Sequence, residues 1–402
     1  MKRIPVAVVG AGPAGLAAST ELARLGHEVH CYERESVAGG MPRHCGHQGF
    51  GLLDLHRPLD GPAYAAELVR RARRAGVTLH TDHTLLSLDG KRMRFCSPEQ
   101  GAFEIEADRI LLALGARETP RPARLIDGIR SPAILTTGAL QRFVTLQGRR
   151  PFRRAVVIGS DIVGFSAIMT CRHAGIEAAA LLEEAPFLRV PSLLARGEEM
   201  LLGTHVYAGC DALSIEGERG RIEGVCFHWQ GEERFIECDG VVFSGEFTPE
   251  SALLRQSRLS WDPRNDSLPV TQGFGTPHPG IYTAGNLLRG ALAAYKCHAE
   301  GIAAARSLHT GINRPPAEAI PIATPTLENL DWISPSLVDP TLPHPYLTRL
   351  RFRRPTRGTL LTLLNGREVM RSRINARPWQ TVTLPWFGQE VKEGDRLELR
   401  FF

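Results

Sequence analysis

Two stretches of the chain repeat one design, and this repeat restricts the fold more than any other feature. Val6 to Glu33 and Ala155 to Glu183 each read as an apolar strand, a glycine-bearing turn, an amphipathic helix closing near a glycine, a second strand and an acid. In the first unit the turn is Gly10-Ala11-Gly12-Pro13-Ala14-Gly15. Gly10 allows the tight turn, Gly12 lets a pyrophosphate approach bare backbone at a helix N-terminus, and Gly15 lets helix and strand pack closely. Glu33, 18 residues beyond Gly15, stands where a carboxylate accepts hydrogen bonds from a ribose. The second unit carries Gly159-Ser160-Asp161-Ile162-Val163-Gly164, with Glu183 19 residues after Gly164. Glu183 would favour NAD over NADP, but Asp161 replaces the second glycine and would set a carboxylate against a doubly charged pyrophosphate. Two readings stay open: a retained scaffold that binds no nicotinamide tightly, or an Asp161 turned outward.

Three further segments narrow the choice of dinucleotide. Gly39-Gly40 follows the acid, Leu112-Ala113-Leu114-Gly115-Ala116-Arg117 ends a strand, and Thr283-Ala284-Gly285-Asn286 precedes the last long helix. In this order they resemble the FAD-contacting motifs of the two-domain flavoproteins related to pyridine-nucleotide disulfide reductases, over about residues 4–310. The resemblance implies an FAD-dependent oxidoreductase with non-covalent FAD held by Gly10, Gly12, Pro13, Ala14, Gly15, Glu33, Arg34, Gly39, Gly40, Met41, Ala113, Gly115, Gly285 and Asn286. That family usually has Asp where Asn286 stands. The implied fold class is α/β, with two Rossmann-like dinucleotide-binding domains and a small C-terminal β module. Its expected boundaries are 1–120 and 268–312 for the FAD domain, 121–267 for a degenerate NAD(P)-type domain, 313–346 for a proline-rich linker and 347–402 for the β module.

The least generic segment is Arg43-His44-Cys45-Gly46-His47, followed by Gly49-Phe50-Gly51 and Leu59-Asp60-Gly61-Pro62-Ala63-Tyr64. Lying directly after Gly40, it is expected along the ribityl and isoalloxazine parts of the flavin. His44 and His47 are candidates for orienting the flavin or moving protons, and Cys45 is the remaining catalytic candidate. The alternative is that the histidines cap a turn and Cys45 packs as a small apolar group. Together with Gly159-Ser160-Asp161 and Ser244-Gly245-Glu246-Phe247-Thr248-Pro249, the segment resembles FAD subunits of multi-subunit dehydrogenases, such as hydrogen cyanide synthase B subunits, opine oxidase A subunits and dye-linked proline or hydroxyproline dehydrogenase alpha subunits. This resemblance implies electron transfer to a second flavoprotein or iron-sulfur subunit, leaving the substrate open. The rival readings are a self-contained NAD(P)H-dependent reductase and a non-catalytic flavin-binding subunit.

Composition excludes other classes. With 43% hydrophobic and 23% charged residues the chain is an ordinary globular one. Its eight cysteines form no CxxC and no pair closer than twelve residues, so a zinc site, a local dithiol and a cysteine-ligated cluster lack their spacing. Reduced thiols and a cytoplasmic location are expected, with no metal. No run of about 18 apolar residues exists to span a membrane. Residues 349–402 hold 12 Arg or Lys and 5 Asp or Glu, a surplus that suits an acidic partner or a solvated face rather than nucleic acid. The segment from Pro315 to Pro345, with eight prolines and no Arg or Lys, reads as an extended linker. Asn365-Gly366 marks a hairpin, and Trp379 and Trp386 are expected in the small core of the module.

Overall fold

The computed structural model describes residues 2–191, 203–311, 318–342, 347–385 and 391–402. A seven-stranded sheet organises the first unit. Lys2–Val9 lies at its centre, parallel to Val29–Tyr32 on one side and to Gly101–Leu112 on the other. Thr78–His80 extends one edge, Arg92–Ser97 and Thr84–Asp89 extend the other antiparallel, and Ile281–Thr283 joins Gly101–Leu112 in parallel. Val29 to Tyr32 are buried without alternation, the pattern of a parallel strand covered on both faces. Helices Pro13–Arg24 and Ala294–Gly311 pack together closely because Gly301 has no side chain: a Cβ there would come within 2.1 Å of the Ala14 carbonyl oxygen.

A second, five-stranded parallel sheet has the order Ile134–Thr136, Gly240–Phe243, Arg154–Ile158, Glu177–Glu183, His205–Ala208. Beside it, Asp211–Glu218, Arg221–Trp229 and Glu232–Glu237 form an antiparallel meander. Glu232–Glu237 and Gly240–Phe243, only two residues apart, belong to different sheets. The break falls at Asp239, whose carboxylate accepts from the Arg153 and Arg154 amides at 2.7–3.0 Å and so redirects the chain. Two crossings join the units, where Ala116–Glu118 pairs with Phe247–Pro249.

The C-terminal strands are Leu347–Phe352, Thr356–Leu364, Arg367–Ala376, Val382–Pro385 and Leu397–Phe401. Asn365 and Gly366, with φ of 52° and 78°, make the tight turn between two of them. The linker reading of 313–346 needs correction in its described part. Ile320–Ala323 pairs with Leu397–Phe401, and Leu330–Ser334 pairs with Leu347–Phe352, so residues 320–338 are strands of the module itself. The prolines punctuate strands of two to five residues and conceal their alternation. This segment also clasps the first unit. The Asn265 side chain donates to the Ile333 carbonyl at 2.6 Å and accepts from its amide at 2.9 Å. Ser336 and Val270 exchange backbone and side-chain bonds, and Gln272 does the same with Asp339. Of the tryptophans of the module, Trp332 is buried, 2% exposed, as is Phe352 on the neighbouring strand, whereas Trp379 is 38% exposed and Trp386 lies outside the described residues.

Candidate functional site

The glycines of the first turn divide by what they touch. A Cβ on Gly10 would meet the Ala113 oxygen at 2.3 Å, and one on Gly15 would meet the Gly10 oxygen at 1.8 Å, so both are needed for strand, turn and helix to fit. Gly12 has no such constraint. Its φ is −81°, and a Cβ there would find nothing nearer than Gly40 Cα at 3.9 Å. It is the N-cap of Pro13–Arg24, a helix start with no side-chain cap and no acid in its first turn. Pro13 occupies the first helical turn, where its missing N–H is harmless. Opposite Gly12 stands Gly40, with φ of 63°, where a Cβ would come within 2.7 Å of Gly12 Cα. Gly39, Gly115 and Gly285 also take positive φ. The outcome is bare backbone on both sides of a helix N-terminus, a cradle with the shape and polarity for a pyrophosphate.

The corresponding position in the second unit is filled from within. Asp161 is the N-cap of Ile162–His173, and its Oδ1 accepts from the Gly164 amide at 2.9 Å and from the Ser244 hydroxyl at 2.8 Å. Burial raises the carboxyl of Asp161 above its ordinary range despite these bonds. Asp161 therefore turns inward, onto the helix end that would otherwise receive a phosphate.

Both strand-end acids are engaged by backbone in the same way. Glu33 accepts from the Ala11 amide at 2.9 Å and from the Glu35 amide at 3.0 Å. Glu183 accepts from the Ser160 amide at 3.0 Å, the Ser160 hydroxyl at 2.6 Å and the Ala185 amide at 3.1 Å. Gly159, with φ of 113°, abuts the Ser244 oxygen as Gly10 abuts Ala113. Of the other expected contacts, Arg34 lies 3.6 Å from Glu250, and Met41 is 49% exposed. Asn286 turns its side-chain oxygen onto its own loop, accepting from the Leu292 amide at 2.8 Å and the Cys297 thiol at 3.1 Å.

The segment from His44 to His47 lies against the second unit. His47 Nε2 is 2.6 Å from the Ser166 hydroxyl, which also accepts from the Gln141 amide at 2.9 Å. Cys45 donates to the Gln141 side-chain oxygen at 3.4 Å. Its thiol is pushed up to about 12, chiefly by burial. His44 is buried, 3.9 Å from Glu35, and burial holds its imidazole below the ordinary value. Glu118, which the motif reading passed over, accepts from the Gly138 amide at 2.8 Å; its other oxygen is buried without a partner among the described residues, and burial raises its carboxyl. Gln141, Ser166 and Glu118 carried no signal because they come from separate elements and form no motif. The geometry makes Cys45 a poor nucleophile, since thiolate is the reactive form. Iodoacetamide treatment of the native protein near neutral pH should leave Cys45 unlabelled, with labelling appearing only after denaturation, as read by peptide mass spectrometry.

All eight cysteines are free thiols. No helix among the described residues is long and apolar enough to cross a membrane, and no three His, Cys, Asp or Glu side chains among them are grouped to hold a metal ion.

Residues 4–301 match the family model of the pyridine nucleotide-disulphide oxidoreductases. The chain belongs to that family. It is therefore an FAD-dependent oxidoreductase, and the cradle between Gly12 and Gly40 fits the cofactor. Among curated relatives it is 26% identical to the opine oxidase A subunit of Rhizobium meliloti over 314 residues, which is 70% of this chain and 58% of that one. It is 28% identical to a glutamate synthase [NADPH] small chain of Mycobacterium tuberculosis, over 80% of this chain and 70% of the other. In fold it is similar to the thioredoxin reductase of T. acidophilum, with a TM-score of 0.64 at 20% identity over 77% of this chain and 99% of that one. It is also similar to L-proline dehydrogenase from P. horikoshii, with a TM-score of 0.57 at 18% identity over 78% and 57%. The chain thus spans less than two thirds of the opine oxidase chain it matches.

Proposed function

We propose that the chain is the FAD-carrying subunit of a multi-subunit dehydrogenase or oxidase, acting on an amine, amino acid or hydroxy acid and passing electrons to a second flavoprotein or iron-sulfur chain. The observation that carries this reading is the asymmetry of the two helix starts: Gly12 leaves one open to a pyrophosphate, and Asp161 closes the other. FAD, when bound, supplies the redox chemistry. Residues 1–120 and 268–312 are the cofactor domain in this reading, with 121–267 inserted as a degenerate second domain. Gly10, Gly12, Gly15, Gly39, Gly40 and Gly115 shape the cofactor groove, and Glu33 adds a carboxylate at its ribose end. Cys45, bonded to Gln141, and His47, bonded to Ser166, brace the two units against each other, while His44 lies buried beside Glu35. The relatives from opine oxidase and sarcosine oxidase, both subunits by their names, support an assembly rather than an isolated reductase.

Purification from the native host, with identification of co-purifying chains, tests the assembly. Purification as a single chain whose flavin NADH reduces rapidly would overturn it in favour of the stand-alone reductase. The isolated native chain should bind NADH weakly. Two like charges about 4 Å apart interact by roughly 4 kcal/mol at an effective dielectric of 20, before relaxation. Asp161→Gly should then tighten NADH binding at least tenfold, while the lost cap itself costs only a few tenths of a kcal/mol. Equal NADH affinities of the two proteins, measured by calorimetry, would remove Asp161 as the cause.

A further inference from the structure

Away from both nucleotide turns, one loop and two helices bring a carboxylate, a phenol and an imidazole together. Asp54 has a side chain only 7% exposed, although its neighbours Leu52 and Leu53 are 59% and 64% exposed. Tyr64, fully buried on the first turn of helix Gly61–Arg74, donates its hydroxyl to Asp54 Oδ2 at 2.5 Å. His298, from helix Ala294–Gly311, sets Nδ1 3.7 Å from the same oxygen. Asp54 Oδ1 is covered from solvent and has no hydrogen-bond partner among the described residues.

Among the described residues no lysine or arginine is paired with this carboxylate. Tyr64 is a neutral donor, and burial holds His298 below its ordinary value, which weakens it as a cation. Arg71, whose field reaches both Tyr64 and His298, is held by Glu67 at 2.7 Å. A buried charge without a partner is expensive, and a cation that donates to Oδ1 would relieve it. The position bears on function. Tyr64 lies against Phe50, centroids 5.7 Å apart, and Phe50 against His47 at 5.6 Å. Cys297, next to His298, bonds Asn286. The carboxylate therefore stands between the His44–His47 segment and the Asn286 turn.

We propose that Asp54, positioned by Tyr64 and His298, recognises the cationic nitrogen of the substrate, a primary or secondary ammonium whose N–H donates to Oδ1 and whose alkyl part lies against Leu52 and Leu53. The inference rests on the function proposed above and selects the amine from its substrate classes.

The test uses the flavin-loaded protein, its flavin content fixed first from visible absorbance, with isopropylammonium chloride and isopropanol as probes at constant ionic strength. Calorimetry and the flavin difference spectrum should show saturable binding of isopropylammonium and at least tenfold weaker binding of isopropanol. Asp54→Asn should lower isopropylammonium affinity at least tenfold at unchanged flavin content. Equal binding of the two probes, binding retained in Asp54→Asn, or no saturable binding would each overturn the proposal. The two-probe comparison needs no variant, so it decides even where Asp54→Asn fails to fold. Protein that takes up no FAD would instead count against the cofactor reading.

Discussion

Gly12→Val is expected to give a folded protein that retains no FAD. The protein's own atoms leave room for the first carbon of the new side chain: the nearest atom to a Cβ is Gly40 Cα at 3.9 Å, and φ of −81° suits any residue. The valine instead fills the approach of the pyrophosphate to the helix start. Overpacking a site that can adjust costs roughly 1–3 kcal/mol. Phosphate oxygens bound to backbone amides cannot retreat without losing those bonds, so a loss of about a hundredfold or more in affinity follows. Gly10→Val and Gly15→Val should behave differently, failing to fold, because their side chains would collide with the Ala113 and Gly10 oxygens. Far-ultraviolet circular dichroism together with flavin absorbance separates the outcomes. A yellow Gly12→Val protein with full flavin content would place the cofactor elsewhere.

The second large effect is expected from truncation at residue 346. Removing 347–402 takes away the partners of Leu330–Ser334 and Ile320–Ala323 and bares Trp332, Ile333, Leu330 and Ile322. Burial of a large apolar side chain contributes roughly 1.5–3 kcal/mol, so four such residues amount to about 6–12 kcal/mol. That is comparable with the whole stability of a domain, about 5–15 kcal/mol. The shortened chain should therefore accumulate as insoluble protein, measured as soluble yield against the full chain. A soluble, flavin-loaded truncation product would show that the module is dispensable for folding and serves only to dock a partner. Part of the positive charge of residues 349–402 is engaged inside the chain: Arg351 lies 2.7 Å from Asp331 and over the Trp332 ring, and Arg353 lies 3.9 Å from Asp331. A salt-sensitive contact with an acidic partner would have to draw on the remaining arginines, such as Arg357 and Arg373.

The two dinucleotide units were legible because strand, glycine turn, helix and acid recur at fixed short spacing, so local sequence carries the whole motif. The same holds for the hairpin at Asn365-Gly366. What escaped depends on long-range pairing. The strands within 320–338 are two to five residues long, too short for a periodicity to stand out, and prolines beside them point to a linker. Trp332 and Trp379 cannot be ranked by sequence, since Trp332 is covered by groups distant in the chain, with Arg289 and Arg351 lying over its ring. At the site, the side of Asp161 on which the carboxylate falls depends on the Ser244 hydroxyl, 83 residues away. Asp54, Tyr64 and His298 meet only because helix Ala294–Gly311 returns to the loop after Phe50.

The acids at the ends of the second strands have a consequence for how such a unit changes over time. Glu33 and Glu183 each tie the amide just after the turn glycine to an amide two residues beyond the acid. The acid is thus part of the scaffold, whatever it contacts besides. A duplicated unit that stops carrying a nucleotide has no reason to discard it, because its loss would loosen the turn. Ancestry and occupancy are written at different positions: the acid records descent from a nucleotide carrier, while the residue at the helix cap reports whether the seat is still free.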